Sequence, residues 1–382
     1  MDLIPLEDLR RRERWRSARR VLAVRLDALG DVIMTGPALR ALKQAHPDRH
    51  LTLLTSSGGT EAARLMPFVD EIISYGAPWM KASRRQSSAT DQEMIRELSA
   101  RQFDAAVILT VYSQNPLPAA MLCHLADIPL RLAHCRENPY QLLTDWVPER
   151  EPEQGFRHEV RRQLDLVATI GARSTDDRLT LTVPEQTLDD AMLLLDRLSG
   201  GKPERVVVLH PGATALSRRY PPDQFAVVAR RLALDLDRVV LFTGVEEERP
   251  LVEAVRRAMC APSHALAGCL DLPQLAGLIS QVPLVISNNT GTIHIAGAVG
   301  TPVVDLYALT NPQHTPWMVP HRVLFHDVPC KYCYRSICPS GHHECLTLVT
   351  PDEVVGAAVD LLEHHPLTHH AEGAAHLVHA WN

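Results

Sequence analysis

Twice along the chain, short runs of aliphatic and β-branched residues alternate with segments of helical apolar spacing, and this repeated alternation restricts the fold more than any single motif. The first series carries VLAVR (21–25), LTLLTS (51–56), VDEIISY (69–75), FDAAVILT (103–110) and LRLAH (130–134), with helices expected from about Pro37, near residue 60, from about Asp91 and from about Pro116. The second carries VVVLH (206–210), RVVLFTG (238–244), HALAG (264–268), LVISNN (284–289) and VVDLYA (303–308), with helices expected from Asp223, Glu247, Asp271 and Thr292. Strand, helix, strand in this order builds a parallel sheet with helices on both faces. The expected class is α/β, with two Rossmann-like, doubly wound domains. A chain of 382 residues, 46% of them hydrophobic, can supply a core to each.

The expected division is a basic lead-in at 1–20, an N-terminal domain at 21–172, a linker at 173–204 and a C-terminal domain at 205–350 that includes a cysteine-rich loop at 329–345. A closing helix at 351–365 and a histidine-rich tail at 366–382 follow. The tail lacks a periodic apolar face and is read as mobile, with metal binding as its alternative. Residues 78–92 form a polar, basic interruption without a strand pattern, a loop of functional or disordered type.

Charge and composition exclude some functions. The net charge is −6 and aromatics make up 5%, so the chain has neither the basic field nor the stacking surface of a nucleic-acid binder. No apolar run is long enough to span a bilayer, and the first residues lack the apolar core of a signal peptide, which leads us to expect a cytoplasmic protein. Seven arginines lie between Arg10 and Arg20, near Leu6, Leu9 and Trp15. That pattern fits either a solvated lead-in helix or a segment lying on an anionic membrane surface.

In doubly wound sheets ligands gather outside the carboxyl ends of strands, so a cleft between the domains is the expected site, and three strand ends carry suitable groups. In VRLDALGDVIMTGP, Gly30 permits a turn and Asp31 follows it; Asp31 or Asp27 is a general base or else a cap or turn residue. In LHPGATALSRRYPPDQF, Thr214, Ser217, Arg218 and Arg219 suit a diphosphate, or form a solvated pair of arginines. In ISNNTGTIH, Thr290 and Gly291 stand at a helix N-terminus, where free N–H groups and the helix dipole favour an anion. Asn288 and Asn289 suit hydroxyl-rich ligands, or cap the helix; His294 is read as a packed residue. Glu246, Glu247 and Glu248 either accept ribose hydroxyls or simply match the dipole of the helix they begin.

Taken in order, VLAVRLDALGDVIMTGPALRAL, LHPGATALSRRYPPDQF, SNNTGTIHIAGAVGTPVVDLYALTNPQHTPW and CPSGHHECLTLVTPDEV resemble glycosyltransferase family 9, the ADP-heptose heptosyltransferases of lipopolysaccharide core assembly. The resemblance runs over residues 20 to 365. It implies a GT-B fold, with two Rossmann-like domains facing across a cleft, and an inverting, metal-independent transfer. Asp31 matches the family's catalytic aspartate. Thr214, Arg218, Thr290, Gly291 and Thr292 match positions that hold the donor diphosphate, although the family usually has lysine at 218 and tryptophan where Tyr220 stands. Asn289 stands where the family usually has an aspartate that contacts the donor sugar. Glu246, Glu247 and Glu248 fall near the nucleoside-binding segment. The implied partners are ADP-heptose and a lipid-linked saccharide acceptor at the inner face of the inner membrane, with peripheral membrane contact and no nucleic acid.

Cys330, Cys333, Cys338 and Cys345 form C-x2-C-x4-C-x6-C, a spacing open both to structural zinc or iron and to free thiols. His342 and His343 are alternative ligands. Family members that modify autotransporter adhesins carry an iron-binding cysteine finger, so a protein acceptor is a second reading. A nucleotide-sugar 2-epimerase and a non-catalytic nucleotide-sugar-binding protein are the readings from other classes.

Overall fold

The structure is a computed structural model that describes residues 6–81 and 87–365, with the side chains of residues 6–9 left aside. The tail at 366–382 and part of the basic loop at 78–92 lie outside the described residues. The chain divides into two compact units: one runs to Thr182 and includes Pro312–Trp317, and the other comprises Val183–Asn311 and the chain from Met318.

The first unit contains α1 (Leu6–Ser17), β1 (Arg20–Arg25), α2 (Leu29–Gln44), β2 (His50–Thr55), α3 (Ser57–Arg64), β3 (Glu71–Ser74), α4 (Ser88–Ala100), β4 (Ala105–Ile108), α5 (Leu117–Leu125), β5 (Leu130–Cys135), β6 (Asp145–Pro148) and α6 (Glu159–Ala168). Its strands pair in the order β3-β2-β1-β4-β5-β6, all in parallel. The second unit contains α7 (Glu185–Ser199), β7 (Val206–His210), α8 (Pro222–Leu234), β8 (Val239–Phe242), α9 (Arg249–Met259), β9 (His264–Ala265), α10 (Leu272–Ser280), β10 (Leu284–Asn288), α11 (Gly291–Val299), β11 (Val303–Leu306), β12 (His321–Leu324), α12 (Glu344–Thr347) and α13 (Pro351–His364). Its order, β12-β11-β10-β7-β8-β9, repeats the same parallel topology. Each sheet therefore changes direction once, between β1 and β4 in the first unit and between β7 and β10 in the second. A doubly wound sheet opens a crevice for ligand at that switch point.

Central strands are buried on both faces, as the continuous aliphatic runs require. Each sheet has a sixth, edge strand that the sequence pattern did not reveal. DWVP (β6) and HRVL (β12) are four residues long and only partly buried, and among the described residues no α-helix leads into either. The helix expected from about Pro37 starts earlier, at Leu29, so Gly30 and Asp31 lie in its first turn instead of in a loop, and Pro37 sits inside it. Its burial from Val32 to Leu39 outweighs the lost proline N–H.

Two further segments differ from the sequence expectation. The lead-in is built into the first unit: Trp15 is 1% exposed, and Arg49 donates to Trp15 O at 2.7 Å and to Ala18 O at 3.2 Å. A tryptophan buried in this way is not presented to a membrane surface. The stretch 173–204 is not a free linker. Arg40 donates to Asp176 O (2.6 Å) and Arg178 O (3.0 Å), and Thr182 N to Leu65 O (2.7 Å), while α7 packs against α10 so closely that a Cβ on Gly277 would lie 3.3 Å from Thr187.

Candidate active site

At the carboxyl end of β1, beside the first switch point, Arg25 is fully buried. A guanidinium in that position needs charged partners, since burying it alone would cost several kcal/mol or more. It has three: Nε lies 2.8 Å from Asp27 Oδ2, Nη2 donates to Asp31 Oδ1 at 3.2 Å, and Nη1 donates to Glu159 Oε1 at 2.7 Å. Burial alone would lower the Arg25 pKa, but the three carboxylates together raise it.

The carboxylates are not equivalent. Glu159, at the start of α6, is fully buried and also accepts from Gln163 Nε2 at 2.7 Å. Burial opposes its ionisation, yet Arg25, Arg162 and His314 bring its pKa down to about 2. Asp27 is pushed up to about 6 by burial and by the neighbouring Asp31 and Glu159 charges, against the pull of Arg25 and a hydrogen bond from Gln114. The Asp31 side chain keeps 19% of its surface, against 9% for Asp27 and none for Glu159. It is the carboxylate of this group that a substrate reaches most easily.

Pro312–Trp317 adds a further group. Glu159 N donates to Gln313 O (3.0 Å), His158 Nε2 to Thr315 O (2.8 Å) and Trp317 Nε1 to Asp177 O (2.8 Å), with the His158 and Trp317 rings 4.4 Å apart. So anchored, the segment places His314 Nε2 3.8 Å from Asp31 Oδ1. Glu159 and His314 were not singled out from sequence. Glu159 and Gln163 are four apart on one helix, but nothing local links them to Arg25, and His314 is visible only as part of the TNPQHTPW stretch.

The second switch point has a different character. Asn288 joins three segments: its Nδ2 donates to Pro211 O at 2.7 Å and its Oδ1 accepts from Tyr220 N at 2.9 Å, so it builds the loop after β7 instead of facing a ligand. Tyr220 is buried and donates to Val349 O at 2.9 Å. The two arginines separate: Arg219 Nε is spent on Ala213 O (2.7 Å), while Arg218 stays partly exposed, its guanidinium carbon 5.9 Å from the centre of the Tyr307 ring. Thr214 is exposed on the same loop, and Ser217 is buried.

Thr290 is the N-cap of α11, its hydroxyl accepting weakly from Thr292 N (3.4 Å), with Gly291 as the first helical residue. This nine-residue helix turns its positive end toward the carboxyl edge of β10. His294 is buried on α11, as a packed residue would be. Asn289 is also buried, and its Nδ2 donates to Asp305 Oδ2 at 3.0 Å. Burial pushes Asp305 up to about 8, with the Asn289 bond and the Arg218 charge opposing. Of the three glutamates, Glu246 is exposed and paired with Arg249 (2.9 Å), and Glu247 is exposed. Glu248 folds back to accept from Val245 N (3.1 Å) and lies 3.6 Å from His210 Nε2; a Cβ on Gly212 would meet its carboxylate at 2.0 Å. The geometry therefore brings Glu248 alone of the three to the ends of β7 and β8.

Cys330, Cys333, Cys338 and Cys345 border one small cavity together with His342 and His343. Cys330 Sγ is 3.5 Å from His342 Nε2, and burial, reinforced by the other three thiols, pushes Cys345 up to about 11. Among the described residues, however, no three histidine, cysteine or carboxylate groups converge so that they could hold a metal ion. Of the two alternatives for this spacing, the ligand geometry of a structural zinc or iron is not formed among the described residues. What the loop does hold is the turn of Arg218: Ser217 N donates to Ser336 O (3.1 Å), Ser217 Oγ to Arg335 O (2.5 Å) and His343 Nε2 to Ser217 O (2.8 Å).

Known proteins resemble this chain in sequence and in fold. The model of glycosyltransferase family 9 (heptosyltransferase) matches residues 92–343. The lipooligosaccharide heptosyltransferase 2 of Haemophilus ducreyi is 25% identical over 358 residues, which cover 90% of this chain and 99% of that protein. Among solved structures, a family 9 glycosyltransferase from Veillonella parvula superposes with a TM-score of 0.77 at 23% identity, covering 91% of this chain and 98% of that one. The ADP-heptose lps heptosyltransferase II of E. coli superposes with a TM-score of 0.69 at 21% identity, covering 90% and 99%. These superpositions support the GT-B class for the two parallel-sheet units. By the match of its family model, the chain belongs to glycosyltransferase family 9, the heptosyltransferases, and is a glycosyltransferase.

Proposed function

We propose that this enzyme is an inverting, metal-independent heptosyltransferase that moves heptose, or a related sugar, from an ADP-linked donor to a lipopolysaccharide-core saccharide at the inner face of the inner membrane. The observation that carries the reading is the carboxylate group on Arg25, in which Asp31 accepts from the guanidinium yet is the most accessible member. The names of similar proteins, a lipooligosaccharide heptosyltransferase 2 and an ADP-heptose lps heptosyltransferase II, support the donor and acceptor class.

In this reading Asp31 removes the proton of an acceptor hydroxyl as that oxygen attacks the anomeric carbon opposite the leaving diphosphate, so the configuration inverts. The diphosphate is held by Arg218, the N–H groups of Gly291 and Thr292, and the hydroxyls of Thr214, Thr290 and Thr292, which compensate the charge that develops on it. Glu248 takes ribose hydroxyls, and Asn289 lies beside the donor sugar. No metal is needed for this step, because guanidinium and helix dipole supply the positive charge. Any metal at the cysteines would be structural.

The test is transfer from ADP-heptose to a heptose-deficient lipopolysaccharide core, followed by mass spectrometry, with GDP-, UDP- and TDP-sugars as competing donors. Asp31→Asn is expected to lower kcat by about 10²- to 10⁴-fold, the usual contribution of a general base, and chelator is expected to leave the rate unchanged. Transfer from a UDP-sugar alone would overturn the donor, and an Asp31→Asn enzyme within tenfold of wild type would overturn the base.

A further inference from the structure

His314 stands close to Asp31, and the proposed chemistry leaves it without a task. Asp31 accepts from the Arg25 guanidinium at 3.2 Å, and a proton taken by Asp31 weakens that pairing. A neighbouring group able to take the proton onward would remove this obstacle. The other carboxylates are committed: Asp27 to Arg25 and Gln114, Glu159 to Arg25 and Gln163. His158 is held between Thr315 O and Val160 N, and Arg162 is paired with Glu149. Among the charged groups beside it, His314 faces Asp31 on α2 and bears on Glu159 on α6, which is also held by Arg25 and Arg162. The His314 side chain keeps 10% of its surface, and its Nε2 lies 3.8 Å from Asp31 Oδ1, under an ångström beyond hydrogen-bond reach of about 3 Å.

We propose that His314 is a positioning and proton-accepting partner of Asp31, taking at Nε2 the proton that Asp31 removes from the acceptor hydroxyl. The inference rests on the reading of Asp31 as the base. As the acceptor O–H bond breaks, a bond forms between that oxygen and the anomeric carbon. The bond from that carbon to the diphosphate breaks, and its electron pair leaves with the diphosphate. The proton passes from acceptor oxygen to Asp31, from Asp31 to His314, and from His314 to water, which restores both groups. His314 must be neutral to accept it, so the rate falls on the acid side as the imidazole becomes protonated.

The experiment is the pH dependence of kcat/KM for the acceptor at saturating ADP-heptose, using the full chain. His314→Gln is expected to lose the acid limb and to lower kcat by about 10- to 100-fold at pH 8, with the donor KM within about twofold. Asp27, pushed up to about 6, can shape an acid limb of its own, so the limb assigned to His314 is the one that survives Asp27→Asn. Imidazole added to His314→Ala is expected to restore part of the rate, which a merely structural loss would not permit. An unchanged acid limb in His314→Gln, or a uniform loss at all pH values without imidazole rescue, overturns the proposal. The two readings fail separately: Asp31→Asn near wild type removes the base, whereas an inactive Asp31→Asn beside an unaltered His314→Gln removes only the relay.

Discussion

The ends of β1 and β7 occupy the same place in two copies of one topology, yet they are chemically opposite. At β1 a single buried guanidinium gathers three carboxylates within 2.7 to 3.2 Å. At β7 and β10 the strand ends carry amides, hydroxyls and a helix N-terminus, and Arg218, beside an Arg219 spent on the Ala213 carbonyl, is partly exposed and has no carboxylate within ion-pair distance among the described residues. The switch point of a doubly wound sheet fixes where a ligand goes; the first residues after each strand decide whether that place offers a base or a cradle for an anion.

Substituting the two arginines separates these roles. Arg25→Met leaves the buried Glu159 and the partly buried Asp27 and Asp31 without their shared cation, and breaking such a group costs about 3–5 kcal/mol, read as a lowered urea midpoint of the first unit. Adding Glu159→Gln to Arg25→Met is expected to recover part of that loss, because the most deeply buried charge is removed. Arg218→Met is expected to cost less than about 1 kcal/mol while donor binding weakens, as isothermal calorimetry with ADP would show. Equal losses of stability in the two variants would erase the distinction.

Sequence reasoning reached this contrast unevenly. Ten of the strands were legible because their aliphatic or β-branched runs alternate with helix-period text, while DWVP and HRVL are partly exposed edges outside that alternation. Asp31 was legible through the ordered motifs, but its place in a helix was not, since Gly30 and Pro37 both argued for a later start. Glu159 was hidden because its meeting with Arg25 spans 134 residues and depends on how α6 packs. Glu246, Glu247 and Glu248 were indistinguishable in sequence, and only the fold of the turn, with Gly212 and Gly244 beneath it, separates Glu248 from the rest.

Two fully buried carboxylates extend the contrast to pH. Glu159 titrates near 2, below its ordinary 4.5, so the stability it contributes is present above about pH 4.5 and lost as pH falls toward 2. Asp305 runs the other way. With only the Asn289 amide and the field of Arg218 to compensate burial, it moves from 3.8 to about 8, so its contribution is complete below pH 3.8 and lost as pH rises through 8. Across that window the native state holds one proton more than the unfolded chain, and stability falls by up to about 1.4 kcal/mol per pH unit. Asp305→Asn is expected to flatten this slope in urea titrations at pH 5, 6, 7 and 8. An unchanged slope would mean that Asp305 is ionised in the folded enzyme across the whole range.

The smallest effect concerns how each cationic site is held. Arg25 is fixed by its own ion pairs, but Arg218 owes its position to a neighbouring loop: Ser217 is bonded to Arg335, Ser336 and His343 at once, and Tyr334 N donates to Thr310 O at 2.9 Å. Removing one of these bonds should loosen the turn without exposing core, at a cost of about 1 kcal/mol. His343→Ala is therefore expected to raise the donor KM about two- to fivefold, with kcat and the urea midpoint of the first unit unchanged. Ser217→Ala, which keeps the backbone bonds and loses only the hydroxyl, should fall between His343→Ala and wild type. If His343→Ala instead lowered kcat and left the donor KM alone, the cysteine loop would act on the chemical step, and Arg218 would be positioned by the β7 loop itself, through the Ala213 carbonyl that Arg219 already holds.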